Sequence, residues 1–217
     1  MLRVEGITQI FGGLTALENV SFAVKPNSIT GIIGPNGAGK TTLFNIITGL
    51  YTQTKGAVYL DEKNISFFEP EALARLGLVR TFQNIELFGQ MTVLENVMVG
   101  LHTKSKSGIF ACSFKLPHQR REEKMIRRKA MQWLDFTGLA DAAHLAACNL
   151  PFGKGRLLEI SRAMALEPKI ILMDEPAAGL NSRETIGLAE LIRKIRELGI
   201  TVVLVEHDME LVMDVCE

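Results

Sequence analysis

The sequence predicts an α/β fold built around a phosphate-binding loop, and three observations carry that prediction. Residues Gly34-Pro35-Asn36-Gly37-Ala38-Gly39-Lys40-Thr41-Thr42 follow the spacing G-x-x-x-x-G-K-[ST]. In such a loop the glycines let successive backbone N–H groups curl around a phosphate chain while the lysine reaches its terminal phosphates. The loop lies between a β-branched strand, Ser28 to Ile33, and a helical pattern from Thr42, the strand–loop–helix setting it needs. Further on, Ile170-Ile171-Leu172-Met173 and Ile200 to Val205 are continuously apolar, as strands of a buried parallel sheet are, and a helix from about Ser182 to Leu198 joins them.

Taken in order, the chain opens with Leu2 to Ile10 and Val20 to Val24, which alternate apolar and polar residues as half-covered antiparallel strands do, with Phe11-Gly12-Gly13 as the turn. Gly49 marks the end of the helix after the loop, and Ala57 to Leu60 with Asp61 to Asn64 reads as a strand and polar turn. From Val79 to Leu150 strand signals fade and helical spacing takes over, over Thr92 to His102 and Gln119 to Thr137. In the second of these, Ile126, Ala130, Trp133 and Leu134 share one face. Arg120, Arg121, Lys124, Arg127, Arg128 and Lys129, diluted by Glu122 and Glu123, read as a solvated face, and Lys104 to Gly108 reads as a mobile loop. A helical stretch from Leu157 to Leu166 stops at Glu167-Pro168, and Gly199 closes the helix before the last strand.

Composition narrows the function classes. Twenty-four basic and 24 acidic residues give a formal net charge of +0, so nothing in the overall balance argues for wrapping nucleic acid or coating an anionic membrane, and no nucleic-acid partner is expected. No apolar run reaches the roughly 20 residues of a membrane span, and the N-terminus lacks the form of a signal peptide, so a cytoplasmic location is expected. Cys112, Cys148 and Cys216 are widely spaced and read as reduced packing residues.

Chemistry concentrates where the buried strands end. Asp174 closes the first, where a carboxylate can hold the Mg²⁺ that bridges β- and γ-phosphates, and Glu175 can polarise a water for in-line attack. His207 follows the second strand, placed to hydrogen-bond a γ-phosphate, and the Gln83 amide can meet the metal or the water.

Together these residues resemble the ATP-binding subunit of an ABC transporter, and the resemblance covers nearly the whole chain. It runs from Phe11 through the loop at Gly34 to Thr42, Gln83, a signature region, Asp174-Glu175, the loop Ala178-Gly179-Leu180-Asn181 and His207. The resemblance implies a P-loop NTPase fold with a mixed sheet core, an antiparallel β subdomain and a helical subdomain. Residues 1–82 and 155–217 would form the core and about 83–154 the helical part. It also implies ATP and Mg²⁺ as cofactors. Phe11 would stack on adenine, Thr41, Gln83 and Asp174 would place the metal, Glu175 would be the general base, and Lys40 and His207 would contact phosphate.

Further expectations concern assembly. Two such chains would close head to tail, each loop facing the other's signature, beneath transmembrane permease subunits on the cytoplasmic face of the membrane, with an extracytoplasmic solute-binding protein acting indirectly. The signature is altered: Leu150-Pro151-Phe152-Gly153-Lys154-Gly155 stands where the family has Leu-Ser-Gly-Gly-Gln, and Pro151 offers neither a hydroxyl nor an N–H. That departure, Phe11-Gly12-Gly13-Leu14, Arg80-Thr81-Phe82-Gln83-Asn84 and Asp174 to Asn181 resemble the ATP-binding proteins of branched-chain amino acid importers. Importers of urea or amides, a soluble non-transport ATPase and a nucleotide-sensing module are the alternatives. The family usually continues beyond the position of Glu217, so the C-terminal end of the usual domain is expected to be missing.

Overall fold

A computed structural model describes residues 1–83, 85–102 and 117–216, with backbone alone at 102 and 117–120. The loop expected at 104–108, Cys112, Asn84, the Arg120 side chain and Glu217 lie outside the described residues. The chain divides into two compact units, Met1–Gln83 with Pro168–Glu217, and Asn84–Glu167.

In the first unit, β1 (Leu2–Phe11) and β2 (Leu14–Val24) form an antiparallel hairpin through Gly12 and Gly13, both at positive φ. That is the tight turn the glycines permit. The second strand starts six residues before the Val20 expected from alternation, because bulges interrupt its period, with Asn19 itself at φ 50. β4 (Lys55–Leu60) pairs with β1, and β5 (Lys63–Asn64) with β4, in the order β2-β1-β4-β5.

A second sheet is wholly parallel: β3 (Ile29–Ile32), β8 (Thr201–Val205), β7 (Ile170–Asp174) and β6 (Leu78–Thr81), in the order β3-β8-β7-β6. The mixed strand directions of the sequence are thus realised as two sheets. Every residue of β7 and β8 is buried, which is why those segments read as unbroken apolar runs. β6, by contrast, lies where the sequence showed strand signals fading. It is four residues long and carries Arg80 at its third position, so no apolar run marks it. Helix α1 (Lys40–Ile47) buries Leu43, Phe44, Ile46 and Ile47 in a core shared with Leu2, Val4, Leu172 and Val203, and α2 (Pro70–Leu76) adds Leu73. Burying four such side chains contributes roughly 6–12 kcal/mol before entropy is counted.

The second unit is helical. Here α3 (Val93–His102), α4 (Pro117–Phe136) and α5 (Phe152–Ala165) pack around Val93, Val97, Ile126, Ala130, Leu134 and Leu158. A Cβ at Gly100 would stand 2.7 Å from the Arg162 carbonyl oxygen, so the close approach of α3 and α5 depends on that glycine. Arg121, Lys124, Arg127, Arg128 and Lys129 are exposed, and Lys129 pairs with Glu167 at 3.0 Å. The segment 155–167, grouped with the core from sequence, clusters with this helical unit instead, since α5 packs on α3 and α4. Cys216 is half-buried, and burial pushes its thiol pKa up; Cys148 is exposed rather than the buried packing residue expected. After β7 the chain turns into α6 (Ser182–Glu197), and after β8 into α7 (Met209–Val215).

Candidate functional site

The carboxyl ends of the four parallel strands collect the residues read as chemical from the sequence, as open parallel sheets do. From β3 the chain enters the glycine loop. Gly37 and Gly39 lie at φ 81 and 85, and a Cβ on Gly39 would come within 2.6 Å of the Ala16 carbonyl oxygen. Only glycine meets both conditions, and it is the residue that starts α1. The Ala38 N–H donates to the Pro35 carbonyl at 3.2 Å, and the Lys40 ammonium donates to the Gly34 and Pro35 carbonyls at 2.7 and 2.9 Å. The lysine is thereby held across the loop, above the N-terminus of α1, where helix amides and charge favour an anion. A cleft of about 310 Å³ opens there, lined by Thr15, Asn36 to Thr42, Glu175 and His207, with Leu14 and Ala16 on its apolar side.

Glu175 sits at φ 47, in the left-handed region, as the chain leaves β7, and its N–H donates to the Val205 carbonyl at 2.9 Å. Both carboxylate oxygens are engaged: Gln83 Nε2 donates to Oε2 at 2.7 Å, and His207 Nε2 lies 2.7 Å from Oε1. The carboxylate only accepts, so Nε2 carries the proton. Two side chains read separately from the sequence thus converge on a third, the Glu175 carboxylate, which is 18% exposed.

Asp174 is in a different environment. Its Oδ2 accepts from Arg80 Nη2 at 2.6 Å, both side chains are almost fully buried, and Oδ1 is buried without a hydrogen-bond partner. An orphaned carboxylate oxygen is costly unless something else satisfies it, which fits a cation ligand. Among the described residues no three His, Cys, Asp or Glu converge into a metal cage. Mg²⁺ takes one or two protein groups and fills its shell from phosphate and water, so Asp174 with Thr41 in the cleft fits that ion.

The other sequence-derived residues fall into place less uniformly. Phe11 ends β1 with its ring 5.7 Å from Tyr51, edge on and 43% exposed, and it is not among the residues lining the cleft. Ala178 and Gly179 lead to Leu180 and Asn181, and Asn181 caps α6: its side chain accepts from the Glu184 N–H at 3.1 Å while Glu184 accepts from the Asn181 N–H at 3.0 Å. In the helical unit Pro151 is the N-cap of α5, Phe152 is exposed, Gly153 and Gly155 are buried, and Lys154 is exposed. The first backbone bond of that helix runs from Gly155 to Pro151 at 2.9 Å, which leaves the amides of Phe152, Gly153 and Lys154 without helical acceptors.

Two site residues escaped the sequence reading. Glu206, 3% exposed, accepts from the backbone N–H groups of Ala177 at 2.7 Å, His207 at 3.1 Å and Asp208 at 3.4 Å. It thereby ties the turn after Glu175 to the start of the His207 loop. Burial raises its carboxyl pKa and those three N–H groups lower it, with burial the larger effect. The available signal was an acidic residue extending an apolar strand. Arg80 is the other, a single cation inside a short strand.

Residues 17–178 match the family model described as ABC transporter. The chain is 44% identical over 218 residues to the high-affinity branched-chain amino acid transport ATP-binding protein LivG of Escherichia coli, covering 100% of this chain and 86% of that protein. The identity to BraF, the corresponding protein of Pseudomonas aeruginosa, is also 44%, with the same coverage of 100% and 86%. Among solved structures, the ADP conformation of an ATP-binding cassette of an ABC transporter superposes with a TM-score of 0.84 at 38% identity, covering 98% of this chain and 83% of that one. A dimeric cassette in a post-hydrolysis state bound to ADP and Pi gives 0.82 at 28% identity, covering 99% and 91%. With its glycine loop and paired strand-end carboxylates in a fold shared with those cassettes, the chain belongs to the ABC transporter family.

Proposed function

We propose that this chain is the ATP-hydrolysing subunit that powers membrane import of branched-chain or related hydrophobic amino acids. The observation that carries the hydrolytic part is Glu175, held by Gln83 and His207 at the wall of the cleft that contains the glycine loop. The substrate class rests on the 44% identity to LivG and BraF.

In this reading the loop Gly34, Pro35, Asn36, Gly37, Ala38 and Gly39, with backbone N–H donors at every position except Pro35, binds the phosphates of ATP together with Lys40 and Thr42. Phe11 and its neighbour Tyr51 offer an aromatic edge for the adenine. Asp174, Thr41 and Gln83 would hold Mg²⁺, which supplies charge neutralisation on the β- and γ-phosphates when bound. Glu175 takes a proton from the attacking water as the water oxygen bonds to the γ-phosphorus and the bond to ADP breaks; His207, in contact with Glu175, keeps that carboxylate oriented and would give up that contact to donate to the γ-phosphate. Leu150 to Gly155, presenting the free amides of α5 and the Lys154 charge, and the loop Ala178 to Asn181 complete the site in trans in a second ATP-binding subunit. Among the described residues no helix is long and apolar enough to cross a membrane. By its similarity to LivG and BraF, the chain would work at the cytoplasmic face beneath transmembrane permease subunits, which a solute-binding protein supplies from outside. A groove in the helical unit, lined by Glu86, Leu87, Phe88, Val99, Gly100 and Arg162, is the surface proposed to receive a permease segment.

Glu175→Gln keeps the shape and removes the base. Its turnover should fall by about 10²–10⁴-fold while ATP still binds, read by phosphate release and by equilibrium nucleotide binding. Unchanged turnover would remove Glu175 from the role. Uptake of leucine, valine and urea by the reconstituted transporter tests the substrate class, and transport of urea alone would overturn it.

A further inference from the structure

The buried pair of Arg80 and Asp174 has a geometry that a simple structural ion pair does not need. Arg80 lies on β6 and Asp174 at the end of the neighbouring parallel strand β7, where Arg80 registers with Leu172. One guanidinium nitrogen, Nη2, is spent on Asp174 Oδ2 at 2.6 Å. The other, Nη1, donates to Asn45 Oδ1 at 2.6 Å and to Thr48 Oγ1 at 3.4 Å, both from the helix that the glycine loop feeds. The guanidinium carbon lies over the rings of Phe44 and Phe82, 5.4 and 5.1 Å from their centroids. Arginine is suited to all of this at once, because its fork is rigid and its face stacks on aromatics; a lysine offers a point charge and cannot reach two partners on different elements in a fixed geometry.

The consequence falls on Asp174. With Oδ2 bonded to Arg80, Oδ1 is the oxygen left for a cation, and it is the atom that is buried with no hydrogen-bond partner. Three residues further along the same segment, Gln83 fixes Glu175. One short stretch thus orients both carboxylates and separates their duties: the buried one is charge-paired, and the adjacent one is held by Gln83 and His207 in the cleft wall.

We propose that Arg80 is a positioning residue for the metal-binding carboxylate, holding Asp174 by Oδ2 so that Oδ1 alone is presented to Mg²⁺, and locking that orientation to α1 through Asn45. The inference rests on the proposed Mg²⁺ role of Asp174, and the experiment separates the two. Binding of a fluorescent ATP analogue is measured in EDTA and across a Mg²⁺ series for the wild type, Arg80→Lys, Arg80→Met, Asn45→Ala and Asp174→Asn, together with thermal unfolding. Loss of an outer-shell partner characteristically costs about 10–100-fold in metal affinity. Arg80→Lys and Arg80→Met should therefore raise the Mg²⁺ concentration needed for half of the metal-dependent gain in affinity by about 10-fold or more, and Asn45→Ala by less. Affinity in EDTA should stay within about twofold, since metal-free binding draws on the loop and Lys40.

Arg80→Met leaves the Asp174 carboxylate buried without its partner and can fail to fold; Arg80→Lys and Asn45→Ala then decide the question. If the Arg80 and Asn45 variants unfold at lower temperature with an unchanged Mg²⁺ requirement while Asp174→Asn shifts it, the pair is structural only and the inference is overturned. If Asp174→Asn itself leaves the Mg²⁺ requirement unchanged, the metal role of Asp174 fails, and the inference with it.

Discussion

Helices α1 and α5 both begin where an anion is expected, and the chain builds the two starts in opposite ways. At α1 the N-cap is Gly39 at φ 85, where an added Cβ would stand 2.6 Å from the Ala16 carbonyl oxygen, and Lys40 folds back on the loop carbonyls. At α5 the N-cap is Pro151 at φ −55, without a side-chain capping bond, followed by an exposed Phe152. The first start depends on a backbone conformation and a close approach that only glycine satisfies, so its motif is strict in residue type. The second depends on a stiff extended residue and on backbone amides, which belong to the helix whatever its side chains are. A motif built on backbone groups can thus lose its usual side chains and keep its donors, as Leu150 to Gly155 would if it serves as the signature proposed above.

Three substitutions sharpen that contrast, in descending order of effect. Lys40→Ala removes the charged donor from the strict site and should weaken ATP binding by about 100–1,000-fold, measured by equilibrium titration, because truncating one side of a desolvated charged hydrogen bond costs about 3–4 kcal/mol. Gly39→Ala attacks the backbone instead. Left-handed strain of about 1–2 kcal/mol plus the collision with Ala16 should lower stability by roughly 3 kcal/mol, or roughly 10 °C in thermal unfolding. Pro151→Ser at the tolerant site restores an N-cap hydroxyl and should stabilise α5 by no more than about 1 kcal/mol. If the signature acts in trans, phosphate release should rise by about two- to tenfold, the worth of one added hydrogen bond. A large loss of turnover on Pro151→Ser would mean that α5 is as strict as α1.

The same contrast explains what was legible in the sequence. The glycine loop, β7, β8 and the capping glycine after α6 are each dictated by short-range rules: a positive φ, a fully buried strand or a helix stop. Phe152 to Arg156 was not read as helix because Pro and two glycines discourage it, and the packing of α5 against α3, with Gly100 as the contact point, overrides that preference. β6 was missed because its one cation belongs to a partner 94 residues away, a relation no local pattern carries. Glu206 was missed for the same reason, its acceptor role being spent on Ala177 across the sheet edge. Asn181 was read as part of a functional loop, and its side chain serves α6 as a cap. At the site, then, the glycine loop, the strand-end carboxylates, Gln83 and His207 were recognisable by type, whereas Arg80 and Glu206, which brace them, were recognisable only in three dimensions.

The left-handed turn at Glu175 has an evolutionary corollary. A non-glycine residue at φ 47 costs the fold of order 1 kcal/mol, and glycine or asparagine would relieve part of it. Selection for stability alone would therefore pull this position away from glutamate. A sturdier protein lies one substitution away, and on the function proposed above it is the one that lacks the water-activating group, so at this position the demands of fold stability and of turnover pull in opposite directions.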